Sequence, residues 1–195
     1  MTRPMILEIV KYGHPALRQK GARIEKLTPE IKKLIDDMFD TMYAAKGVGL
    51  AAQQVGRPLQ LTVLDVRGAA PDRPSTLEMG GKEADVMALM PLVLINPEVK
   101  GIGDSVAGTE GCLSFPEIYA EIKRFGMAEV RARNKAGEDI EFRCGGLLAR
   151  AIQHELDHIN GILFIDRMSR TEKEELKPQL DELQAATKAA LKAKK

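Results

Sequence analysis

The hexapeptide Gln153-His154-Glu155-Leu156-Asp157-His158 decides how the rest of this chain is read. It has the form His-Glu-x-x-His, and the residues leading into it, Leu147, Leu148, Ala151 and Ile152, recur at helical spacing. At about 3.6 residues per turn, His154 and His158 leave one helix face a turn apart, so two imidazoles can grip one metal ion. Glu155 follows the first histidine directly, where its carboxylate can reach a water that the metal activates without being a ligand. Only three histidines occur in the chain, and two of them fall at this spacing around a glutamate, which argues against a chance pair on a surface helix.

Two histidines lack a third donor. Cys112, in Thr109-Glu110-Gly111-Cys112-Leu113-Ser114-Phe115-Pro116, follows a glycine in a turn-like stretch and is one candidate. A buried small hydrophobe is the other reading of a free cysteine. His14 stands before Pro15, which biases it to extended geometry. It reads as a solvent-facing turn histidine more readily than as a ligand. Cys144, before Gly145-Gly146 at the mouth of the key helix, reads as structural.

The other loaded stretch is Gly47-Val48-Gly49-Leu50-Ala51-Ala52-Gln53-Gln54. Its small residues let a backbone pass close to another backbone or to a ligand. Taken alone it could equally be a helix C-cap and turn. It is not a dinucleotide fingerprint, because it follows a helix and lacks a third glycine in register.

Around these stretches the chain reads as an ordinary globular protein. Its 195 residues predict one domain with its own core, and 44% hydrophobic and 29% charged residues fit that class. A net charge of +1 carries no global argument for nucleic acid or membrane, and the absence of tryptophan argues against a base-stacking surface. The start, Met1-Thr2-Arg3-Pro4-Met5-Ile6-Leu7-Glu8, makes a poor signal peptide, and no apolar run approaches the roughly 20 residues that span a bilayer. Two cysteines with no sign of secretion predict reduced thiols and a cytoplasmic location.

In chain order, residues 6–10 read as a short strand or extended arm. Thr28-Pro29-Glu30 opens an amphipathic helix through Ile31, Leu34, Ile35, Met38, Phe39 and Met42, ending near Lys46-Gly47. Leu59 to Val66 alternates as a strand. Residues 68–91, punctuated by Gly68, Pro71, Pro74, Gly80, Gly81 and Pro91, read as a long loop or small hairpin outside the core and away from any catalytic machinery. Leu92 to Ile95 is a buried strand closed by a turn at Asn96-Pro97. Residues 127–133 and 138–143 form a hairpin about Asn134-Lys135-Ala136-Gly137, and the apolar run Ile162 to Ile165 ends the core. Residues 171–195 predict a solvated, partly frayed helix interrupted at Pro178, with a basic end of Lys188, Lys192, Lys194 and Lys195.

Taken together and in this order, the stretch from Gly47 to Gln54, Glu110-Gly111-Cys112-Leu113-Ser114 and Gln153-His154-Glu155-Leu156-Asp157-His158 resemble the three signature motifs of the peptide deformylases. Gly13-His14-Pro15-Ala16-Leu17-Arg18 is similar to that family's N-terminal segment, so the resemblance covers roughly residues 5–168. It implies an α+β fold with antiparallel strands around a central helix that carries the histidines. It further implies a catalytic domain over residues 1–170 and a helical basic tail over 171–195. Departures lie at the substrate entrance: a long 68–91 segment, Tyr119 where many relatives have arginine, and Arg124-Phe125 where an Arg-Pro pair is common.

The resemblance implies a metal on Cys112, His154 and His158, with Fe²⁺ as the working ion and Zn²⁺, Ni²⁺ or Co²⁺ as substitutes that such donors also accept. The implied reaction releases formate from nascent peptides that begin with N-formyl-methionine. Glu155 would move the proton, and the Gln54 side-chain amide and the Leu113 backbone N–H would serve the oxyanion, Gln53 being excluded by the family's spacing. Val48, Gly49, Glu110, Gly111, Leu147 and Ala151 would line the substrate site, Val48, Leu147 and Ala151 walling the methionine pocket and Gly49 offering backbone to an added strand. A Glu110–Arg124 ion pair would hold the Cys112 loop, and the tail would dock near ribosomal phosphates. Two rival readings are a zinc peptidase, for which Asp166 is the nearest downstream acid, and a non-catalytic metal module. Glu155 and Gln54 together argue against the second, since neither is needed merely to bind metal.

Overall fold

The first long helix, α1 (Pro29–Ala44), starts where its cap chemistry says it should. Thr28 Oγ1 accepts from the Ile31 N–H at 3.4 Å, proline occupies the first turn, and Ile35, Met38, Phe39 and Met42 form the buried face. The computed structural model describes residues 5–69 and 73–193; Met1–Pro4, Pro71, Lys194 and Lys195, which entered the sequence reading, lie outside them.

Among the described residues seven strands join one antiparallel sheet: β1 (Gly49–Ala51), β2 (Leu61–Leu64), β3 (Ser75–Met79), β4 (Lys82–Glu83), β5 (Leu92–Cys112), β6 (Phe115–Arg133) and β7 (Asp139–Gly145), in the order β1-β2-β5-β6-β7-β3-β4. With the helices this is the expected α+β class. The short α2 (Val86–Leu89) precedes β5, and α3 (Gly146–Ile159) carries the two histidines. α3 packs against β1, β2, β3, β5, β6 and β7, and buries His154, Glu155, Asp157 and His158 as well as its apolar face. A helix buried nearly all round is a core element, and here its polar residues are inside too.

Three expectations need correction. The strand from Leu92 does not close at Asn96-Pro97 but continues to Cys112. Asn96 takes a positive φ, its side chain bonds both the N–H and the C=O of Ile24 at 2.9 Å, and the register shift between Ile95 and Glu98 absorbs the residue as a bulge. β6 also starts well before residue 127. Its inward residues there are Ile118, Ala120, Ile122 and Arg124, and an inward arginine breaks the apolar alternation that announces a strand.

Second, the 68–91 segment belongs to the core. It forms a β3–β4 hairpin whose β3 pairs with β7, and Leu77, Val86 and Met90 join the cluster that contains Leu148 and Ile152. It also finishes α3. Gly145 supplies no capping side chain, so the first helical N–H groups turn elsewhere: Leu147 to Pro74 O at 3.1 Å and Leu148 to Ser75 Oγ at 3.0 Å. Replacing residues 75–88 by a short turn is therefore expected to cost at least about 3 kcal/mol, from two buried aliphatic side chains and a helix cap. Denaturant unfolding measures it, and a loss under about 1 kcal/mol would restore the view of a peripheral loop.

Third, α4 (Arg170–Ala193) runs unbroken through Pro178. Pro178 lies on the exposed face, where the carbonyl a turn earlier can turn to solvent. On the inner face Leu180 is buried, with Leu176 and Leu183, against Leu17, Phe115 and Phe164. The first turns of the tail are thus packed on the sheet.

Candidate metal and catalytic site

β5 ends at Cys112, and the turn Leu113-Ser114 reverses the chain so that Cys112 faces Phe115 of β6. This brings the thiol over α3. The ligand atoms of Cys112, His154 and His158 all lie within 4.8 Å of one another, with Cys112 Sγ 3.2 Å from His158 Nε2 and the two imidazole centroids 5.0 Å apart. His154 Nδ1 lies 3.0 Å from Glu110 Oε2, which leaves its Nε2 for a metal. One thiolate and two imidazoles suit Fe²⁺, Zn²⁺, Co²⁺ or Ni²⁺, and three protein ligands leave a further position open. Beside them Glu155 Oε2 is buried with no hydrogen-bond partner among the described residues, as expected of a carboxylate meant for something else. The donor set fits a catalytic metal.

The charges behind α3 form a continuous network. Glu110 Oε1 accepts from Arg124 Nε at 2.7 Å and Arg150 Nη1 at 2.8 Å, while Oε2 accepts from Arg124 Nη2 at 2.8 Å. Arg124 Nη1 also donates to Asp157 Oδ2 at 2.6 Å, and Arg167 grips Asp157 through two bonds of 2.5 Å. Burial opposes charge on Glu110, but Arg124 and His154 outweigh it and hold the carboxyl well below the usual range. It therefore remains an acceptor for His154. Burial above all, with the nearby Glu110 and Asp157 carboxylates, pushes the Glu155 carboxyl up to about 7 against the opposing pull of His154 and Arg124. Burial also works against charge on His154, yet its bonds to Cys112 and Glu110 raise it to about 10, whereas burial and the neighbouring His154 lower His158.

A cleft of about 550 Å³ opens over this cluster. Val48, Gly49, Gln54, Gly111, Leu113, Leu147 and Ala151 all reach its wall, as do Cys112, His154 and Glu155. Glu110 lines it too, but its carboxylate is committed to Arg124, Arg150 and His154 rather than presented to a ligand. Gln54 Oε1 accepts from the Ala51 N–H at 2.8 Å, and its Nε2 points at Cys112 Sγ, 3.4 Å away. Gln53 instead donates to Ile159 O at 3.2 Å from a fully buried position. Gly49 is where a side chain would do harm: a Cβ there would lie 2.5 Å from Glu155 Oε1. The other histidine and cysteine stand apart. His14 Nδ1 accepts from the Ala16 N–H at 3.1 Å, and Cys144 is buried in β7, its thiol pushed up to about 12 by that burial. Asp166 is held by Arg18 and the Leu163 N–H.

Comparison with known proteins gives the same frame. The sequence profile of the polypeptide deformylases matches residues 6–174. The chain belongs to the polypeptide deformylase family. Its relatives include the peptide deformylase of Methylacidiphilum infernorum, 44% identical over 92% of this chain and 93% of that one. Another, from Opitutus terrae, is 42% identical over 96% and 98% of the two chains. Among solved structures, a peptide deformylase from Synechococcus elongatus in complex with actinonin superposes with a TM-score of 0.75 at 36% identity, over 94% of this chain and 91% of that one.

Within this deformylase fold, sequence reasoning missed four contributors. Arg150 sits on α3 one turn before His154 and carried the only signal available, helical register with a ligand candidate. Asp157 lies inside the hexapeptide, yet an acid in a helix reads as solvated. Arg73 reaches the cleft from the segment taken for a peripheral loop, and Lys11 closes its opposite side with Nζ 2.7 Å from Leu113 O.

Proposed function

We propose that this chain hydrolyses the N-formyl amide of newly made polypeptides that begin with formyl-methionine, releasing formate. The observation that carries the reading is the convergence of Cys112, His154 and His158 at the floor of a cleft that Glu155 and Gln54 also line, beside a sheet edge. A metal on those three ligands would supply Lewis acidity towards the formyl oxygen and lower the pKa of water.

The chain's own residues do the rest. Glu155 takes a proton from water as its oxygen attacks the formyl carbon, and gives that proton to the leaving amine. The Gln54 amide and the Leu113 N–H donate to the developing oxyanion, such a donor typically adding about 3–4 kcal/mol. Among the described residues β1 pairs with β2 alone, so its other edge, at Gly49, is open to an extended peptide as an added strand. Val48, Leu147 and Ala151 supply the apolar wall for the methionine side chain. Gly49 also has a steric duty. Gly49→Ala is expected to displace Glu155 and lower kcat/KM at least tenfold, about 1.4 kcal/mol, with metal content unchanged. Activity at parent level would show that the site relaxes around the methyl group.

Formate release from a formyl-methionyl tripeptide by the metal-replete protein, with no cleavage of internal peptide bonds, is the expected result. Internal cleavage without formate would favour the peptidase reading. Fe²⁺ is the proposed native ion; metal analysis after anaerobic purification tests it, since affinity order alone lets Zn²⁺ replace Fe²⁺. A purified protein holding Zn²⁺ under strict anaerobiosis would count against iron.

Residues 1–170 are proposed to carry the chemistry, with 171–195 an appended helix and the cytoplasm as the location. No helix among the described residues is long and apolar enough to cross a membrane. The basic end of α4 is proposed to bind ribosomal phosphates. Because Leu176, Leu180 and Leu183 are packed, the informative cut is after Thr187, which removes only the lysine-bearing end. That truncation is expected to weaken salt-sensitive co-sedimentation with ribosomes while turnover of a short peptide survives. Unchanged co-sedimentation at low salt would end the proposal.

A further inference from the structure

We propose that Arg150 is a positioning residue that sets the geometry of the metal-holding face of α3 by acting through Glu110. The inference rests on the deformylase reading of that site.

Among the described residues, β5 pairs with β2 from Leu92 to Ile95 and, from Glu98 onward, with β6 alone. The half of β5 that delivers Glu110 and Cys112 thus has one edge without a strand, so its seating on α3 depends on side-chain contacts. Arg150 supplies the main one. Its side chain is only 12% exposed. Nη2 donates to Val106 O at 2.7 Å, and Nη1 lies 3.3 Å from Gly108 O, 2.9 Å from Ile122 O and 2.8 Å from Glu110 Oε1. One guanidinium on α3 therefore holds β5 at two points, β6 at one, and the carboxylate that fixes His154. Gly108 makes room for it, since a Cβ there would lie 3.0 Å from Arg150 Cζ and Nη2.

This junction matters because the three candidate ligands come from two elements, Cys112 from β5 and both histidines from α3. Their distances depend on how β5 is seated on the helix. Glu110 is held from two sides, by Arg124 from β6 and by Arg150 from α3. Without Arg150, the Val106 and Gly108 carbonyls lose a donor and the Glu110 carboxylate loses its link to α3, so that Arg124 on β6 alone sets its position against His154 Nδ1. Partners that orient a ligating histidine commonly matter by 10–100-fold in metal affinity or activity. A lysine cannot substitute fully, because a point charge does not span four acceptors.

The test is a double-mutant cycle read by Zn²⁺ affinity, using competition with a chelator, and by formyl-peptide kinetics. Arg150→Met is expected to weaken Zn²⁺ at least tenfold and to lower kcat more than it raises KM, with Arg150→Lys recovering part of the loss. In a Glu110→Gln background the same Arg150→Met change should have less than about threefold further effect on affinity, because its route is already cut. Arg131→Met removes an exposed arginine and controls for charge. Should Arg150→Met fail to fold, Arg150→Gln is read in its place. Zn²⁺ affinity within twofold of the parent, or an equally large further loss in the Glu110→Gln background, overturns the proposal. A parent that binds Zn²⁺ normally but releases no formate would refute the deformylase reading and leave the affinity cycle interpretable.

Discussion

Glu155→Ala is expected to keep about one metal ion per chain and to lose turnover by about 10²–10⁴-fold, the range for a positioned general acid–base group. The basis is the separation of this side chain from the ligand cluster. Cys112, His154 and His158 meet among themselves, whereas Glu155 turns one oxygen towards Gly49 and keeps the other buried without a partner among the described residues. That placement supports the proposal that Glu155 moves a proton rather than holding the metal. Glu155→Gln should behave alike, since an amide preserves the shape and removes the base. Metal analysis and formate release on the same preparations decide the matter. An emptied site in the alanine variant would make Glu155 a ligand and overturn the division of labour.

Cys112→Ala and His154→Ala are expected to fail earlier, at metal retention, with content falling to about a tenth of the parent's or less after dialysis and activity falling with it. Two remaining donors do not make a preformed three-ligand site. Removing Cys112 also takes away the one sulfur donor of the set. His154→Ala further orphans Glu110, which stays ionised between Arg124 and Arg150 with no imidazole to orient. Full metal and full activity in Cys112→Ala would refute its role as a ligand.

How much of this the sequence carried follows from the range of the interactions. His154, Glu155 and His158 were legible because their relation is local: helical pitch alone puts two imidazoles on one face. The start of α1 was legible for the same reason, since Thr28, Pro29 and the spacing of Ile35, Met38 and Met42 act within a few turns. Leu147 and Ala151, which the family resemblance put at the methionine pocket, share by the same pitch the helix face of His154, and both reach the cleft. Cys112 and Gln54 needed the order of three motifs, because no local rule brings a strand end and a turn to a helix.

Tertiary structure decided the rest. Arg150 and Asp157 look in linear sequence like any solvated charges, while Glu110 and Arg124 were paired only through the family resemblance. They are buried here only because the fold delivers each to partners from distant segments, so that paired hydrogen bonds offset lost hydration. The β3–β4 hairpin likewise showed its place only when β7 offered an edge and α3 needed a cap, and Asn96 became a bulge rather than a turn because Ile24 meets both ends of its amide. Periodicity along a chain reports what a residue does to its neighbours in sequence; which charge may leave water is settled by neighbours that only folding supplies.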